Sequence, residues 1–252
     1  MSKFQDILID DVKDIVALPL LHTCDAFALR SILEKMALIP QECNVFSLEL
    51  LYTYYGIPSY RPNYGMATTN PAFFMICIII DSEKVKEFYK VYPFDSGAFE
   101  KLPKMKETFF HPENKILDFE LHNSLDGAKR VIKTFYETNE NYMLQKPKVS
   151  KKFSQFDFEA ISYENLINQK ENSILDDRSS SIEIIFDKQI PLTKETVKQI
   201  IIPNSFKDDD KIREIIKSNL NIDDPIGYDT YRGCPKESFG LIRSKYFNFI
   251  NN

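Results

Sequence analysis

The stretch PAFFMICIII, residues 71–80, carries no charged side chain and ends in three consecutive isoleucines. It is far too short to cross a bilayer, which takes about 20 apolar residues in a helix. Its aromatic and β-branched content predicts a buried strand over residues 73–80. A chain of 252 residues with 43% apolar and 27% charged residues can supply the core around it. One domain over 1–252 is expected, with a loop- and helix-rich insertion at about 93–170.

Composition removes several function classes. With 7 glycines in the chain, the Gly-rich loops that cradle phosphates in P-loop and Rossmann proteins are missing. A net charge of −5 argues against broad, charge-driven binding to nucleic acid or to anionic membranes. Cys24, Cys43, Cys77 and Cys234 lack CxxC spacing, and neither His111 nor His122 has partners at metal-ligand spacing, so no metal is expected. The N-terminal MSKFQDILIDDVKDI alternates acids with aliphatics and does not read as a signal peptide. A cytoplasmic location and no membrane association are the expectations.

Along the chain, IVALPLLHT reads as a strand, and Leu29, Ile32, Leu33 and Met36 mark one face of a helix that Thr23 or Asp25 can cap. VFSLELLYTYYGIPSYRPNYG begins as an aromatic strand and breaks at Gly56 and Pro58 into a loop. SEKVKEFYKVY reads as a short helix opened by Asp81 and Ser82, residues 93–123 as loop-rich, and residues 124–142 as helix. SIEIIFDKQIPL and KQIIIPN read as strands before the acid-led helix DDDKIREIIKSNLN. Strands and helices alternate irregularly, which predicts an α+β fold.

Glu183 breaks the apolar pattern of SSSIEIIF. Strand alternation puts Ile182, Ile184 and Phe186 on one face and Ser181, Glu183 and Ile185 on the other, so a lone carboxylate here is expected to face solvent. Three other groups stand out. His22 and Thr23 end a strand before a helix start. Tyr52, Tyr54, Tyr55 and Tyr60 with Arg61 cluster around a Gly/Pro turn, where rings suit a flat base and a guanidinium suits phosphate. Asp95 and Ser96, in PFDSGAF, read as an ordinary turn that could line a pocket.

The order of these motifs resembles the ADP-ribosyltransferase superfamily. An early His-Thr comes first, then a Tyr-rich strand and turn, then a late strand carrying Ser181-x-Glu183. It looks closer to the His-Tyr-Glu branch, and more loosely to the DNA-modifying toxins, than to the Arg-Ser-Glu branch. The resemblance implies a split β-sheet core with peripheral helices, and NAD as substrate. It implies Glu183 as the catalytic carboxylate, and His22 with Thr23 at the ribose beside the nicotinamide. Tyr54, Tyr55 or Tyr52 would stack on the nicotinamide ring, while Tyr60, Arg61 and Arg178 would complete the cofactor contacts, the arginines at pyrophosphate. Ser181 stands where arginine-modifying members carry Glu or Gln, which argues against an arginine acceptor. The implied activity is transfer of ADP-ribose to a nucleic acid or protein, as a toxin or antiviral effector with an antitoxin or regulatory partner. NAD hydrolysis and a catalytically silent binding module with the same fold are the alternatives.

Overall fold

The computed structural model describes residues 3–43, 46–59, 66–169 and 177–251. Its strands, in chain order, are β1 (Leu20–Asp25), β2 (Ala37–Leu38), β3 (Gln41–Cys43), β4 (Leu48–Tyr55), β5 (Met75–Ile80), β6 (Lys90–Tyr92), β7 (Glu183–Phe186), β8 (Ile190–Pro191), β9 (Val197–Pro203) and β10 (Ile226–Tyr228). The fold is α+β with mostly antiparallel pairing. The chain divides into two compact units. The first is Met1–Leu18, Gln41–Gly56 and Glu87–Asp187; the second is Pro19–Pro40, Ile57–Lys86 and Lys188–Asn252.

In the first unit β4 is paired antiparallel with both β3 and β7, and β7 with β6. Gly56 ends β4 at φ +69, and a Cβ there would lie 2.4 Å from Leu18 Cδ1, so a side chain is excluded by both conformation and space. Residues 93–170 are not peripheral to this unit, because they furnish most of its aromatic core. Phe94 stacks on Phe99, while Phe119 meets Phe110 edge to face at 5.1 Å and Tyr163 meets Phe135 edge to face at 4.7 Å. The loop-rich expectation for this stretch gives way to helices Ser96–Lys101 and Pro103–Phe109. Asp95 caps the first, and Pro103 opens the second.

SEKVKEFYKVY does not form the expected helix. A 3₁₀ turn at Ser82–Lys84 is followed by Glu87 at φ +64, which a continuing helix cannot accommodate. The chain then enters β6, with the Tyr89 amide donating to Ile185 O at 2.8 Å. Pairing with β7 outweighs the local helical spacing.

In the second unit β5 is paired antiparallel with β1 and β9, and β9 runs parallel to β10, while β2 and β8 form a small ribbon. All six residues of β5 are buried, as its apolar sequence predicts. Met75, Cys77 and Ile79 pack with Phe239, Ile242 and Tyr246 of helix Ser238–Ile250. The helix Leu29–Lys35 follows Ala28, which makes no side-chain cap, so the capping expected of Thr23 or Asp25 is not seen at the helix start; Asp25 Oδ1 accepts from the Ala28 amide at 3.3 Å just ahead of it. Among the described residues no helix is long and apolar enough to cross a membrane.

Candidate functional site

Glu183 opens β7 in the first unit, and the expectation that it faces solvent is overturned: it is 1% exposed. Alternation does separate it from Ile184 and Phe186, but its face is covered as well. Directly opposite Glu183 stand Tyr54 on β4 and Tyr92 on β6. Opposed residues of antiparallel neighbours share a sheet face, so the carboxyl lies in a row between two tyrosines. Tyr52, two residues before Tyr54, shares that face, and its hydroxyl meets Cys43 Sγ of β3 at 2.6 Å.

A second carboxyl completes the arrangement. Asp95 follows β6, and its Oδ1 accepts from the Ala98 amide at 2.7 Å, capping helix Ser96–Lys101. Its Oδ2 accepts from the Tyr54 hydroxyl at 2.6 Å. The Ser96 amide, one of the donors a helix start leaves without an internal partner, donates to Glu183 Oε2 at 3.1 Å. The Asp95 amide itself donates to the Arg178 carbonyl at 3.0 Å, tying this turn to the 3₁₀ segment Asp177–Ser180 just before β7.

The electrostatics follow from this packing. Burial, then the negative charge of Asp95, raises the Glu183 pKa well above its ordinary value, while hydrogen bonding from Ser96 opposes the rise. Tyr54 is likewise pushed far upward by burial and by Asp95 and Glu183, with the Arg178 charge working against them. Burial also raises Tyr52 and Tyr92, with Glu183 adding to both. Each of these shifts favours the neutral form of its group.

One further tyrosine holds the strands in place. The Tyr142 hydroxyl donates to Tyr55 O at 2.8 Å and accepts from the Ile182 amide at 2.9 Å, bridging the end of β4 and the start of β7. Thr53 Oγ1 donates to Ile184 O at 2.9 Å on the same pair.

Of the residues the sequence singles out, the first unit brings Glu183, Tyr54 and Tyr52 to one face, with Arg178 acting on the Tyr54 hydroxyl. Tyr55 is fully buried on the opposite face of β4, and its hydroxyl accepts from the Leu18 amide at 2.9 Å. His22 and Thr23 belong to the second unit, on β1 opposite Ile78 and Cys77, with His22 half-buried and Thr23 buried. Tyr60 and Arg61 lie outside the described residues. Tyr92 is the member the sequence reading leaves out, while Asp95 and Ser96 are read there as a turn that could line a pocket. PFDSGAF does turn as read, with Asp95 capping the helix that follows, but nothing local shows that this turn meets a strand 87 residues further on.

No protein family, no curated protein and no solved structure matches this chain.

Proposed function

We propose that the protein is an NAD-dependent ADP-ribosyltransferase in which Glu183 acts at the nicotinamide–ribose bond. The observation that carries this reading is the burial of Glu183 in a row of tyrosines beside a second carboxyl. A buried carboxyl next to a like charge costs folding free energy, and a hydrophobic residue would pack there without that cost. Such an arrangement is typical of a site where charge is used.

The chemistry suits the residues. Tyrosine rings favour a flat, cationic pyridinium, and entry of that positive charge favours ionisation of Glu183, whose proton is released to solvent. The C1′–N bond then breaks with its electron pair going to nitrogen, so nicotinamide leaves neutral and C1′ becomes cationic. The Glu183 carboxylate stabilises this oxocarbenium-like charge. An acceptor oxygen or nitrogen attacks C1′ and gives its proton to Glu183, restoring the resting state. A neutral leaving group needs no strong general acid. The split β-sheet core implied by the sequence resemblance is part of the same proposal.

The test is nicotinamide release from NAD, followed with DNA, RNA, protein or water alone as acceptor. Release stimulated by one macromolecule supports transfer, and release without any acceptor indicates hydrolysis. Absence of both release and NAD binding at millimolar concentration would overturn the reading in favour of a silent module.

A further inference from the structure

Asp95 occupies a position that capping alone does not explain. A cap needs one oxygen, and Oδ1 supplies it to the Ala98 amide. The second oxygen takes the buried Tyr54 hydroxyl at 2.6 Å, and Tyr54 is the cross-strand partner of Glu183. The residue after Asp95 supplies the amide that holds Glu183 Oε2 at 3.1 Å. Two routes, one through the side chain of Tyr54 and one through the backbone of Ser96, thus connect Asp95 to Glu183. We infer that Asp95 is the positioning residue of this site, fixing Glu183 through the Ser96 amide and Tyr54 and supplying the negative charge against which Glu183 works. This inference rests on the reading of Glu183 as the site's carboxyl.

Among the described residues, several groups act on Glu183 or share its face. They are Asp95 and Ser96 from the turn after β6, Tyr54 and Tyr52 from β4, Tyr92 from β6 and Cys43 from β3. Arg178, before β7, acts on Tyr54. Asp95 is the carboxyl among them that raises Glu183, so removing its charge has a defined direction: the Glu183 midpoint falls. A cap with no further role would leave that midpoint where it is.

Asp95→Asn and Asp95→Ser both keep a side chain able to cap the helix, and neither carries charge. The Glu183 carboxyl is titrated by ¹³C NMR in wild type and in each variant, with the signal assigned by its loss in Glu183→Gln. The expected result is a downward shift of the Glu183 midpoint by about 1–3 pH units. The acid limb of the pH profile for nicotinamide release should move the same way, with Asp95→Glu, which retains charge, leaving the midpoint raised. An unchanged midpoint in Asp95→Asn and Asp95→Ser overturns the inference, and so does failure of both to fold, which would make Asp95 a structural cap. Because the NMR titration needs no turnover, a protein inactive on NAD would sink the functional proposal and still decide the role of Asp95.

Discussion

Tyr54 donates its hydroxyl proton to Asp95 Oδ2 at 2.6 Å while standing directly opposite Glu183 in the β4/β7 register. One side chain thereby links the two carboxyls of the candidate site. Tyr54→Phe removes the donor and leaves a buried carboxylate oxygen without its partner. Hydrogen bonds to charged groups contribute about 1.5–3 kcal/mol, so denaturant titration should show a loss of that size. A loss well under about 0.5 kcal/mol would mean that water replaces the hydroxyl freely.

Glu183 should leave a signature in the pH dependence of stability. Its folded pKa is raised from 4.5, so protons bind it more tightly in the folded than in the unfolded chain. Its favourable contribution is fully present below the unfolded pKa and is lost as pH rises toward the folded value, at about 1.4 kcal/mol per pH unit. Glu183→Gln removes this slope. The variant should gain on wild type between about pH 4.5 and neutrality, as read from unfolding free energies at several pH values. A constant difference across that range would mean Glu183 titrates as an exposed carboxyl does.

Tyr142 should matter for folding more than its distance in sequence suggests. Tyr142→Phe leaves the Ile182 amide and the Tyr55 carbonyl short of a partner at the β4/β7 junction. A buried unsatisfied group costs about 1–3 kcal/mol, and thermal melts should show a destabilisation of at least that order. Hydrogen exchange at Ile182 should accelerate with it.

Gly56→Ala tests the end of β4. The positive φ alone costs roughly 1–2 kcal/mol for a residue with a Cβ, and that Cβ would press on Leu18 Cδ1. Adding Leu18→Ala should recover the steric part but not the conformational part, so the two changes should be non-additive in a double-mutant cycle.

Which parts of this arrangement are legible in sequence follows from range. The apolar run ending in Ile78, Ile79 and Ile80 specifies a buried strand by itself, and β5 is that strand. Glu183 is conspicuous because it interrupts a similar run, yet its burial is not legible, since the cover comes from Tyr54 and Tyr92 on partner strands far away in the chain. Asp95 is legible as part of a turn because turn chemistry is local; its link to Tyr54 spans 41 residues and leaves no local trace. Residues 82–92 mislead for the same reason, because pairing with β7 decides their conformation. His22 and Thr23, read as the end of a strand before a helix, lie inside β1, which runs on to Asp25.

The most direct test of the central claim is the turnover of Glu183→Gln, which keeps the shape of the side chain and removes the charge it can develop. Nicotinamide release from NAD should fall by about 10²-fold or more, with NAD affinity measured by calorimetry little changed. Full turnover in the variant would contradict the assignment of Glu183 to the nicotinamide–ribose bond.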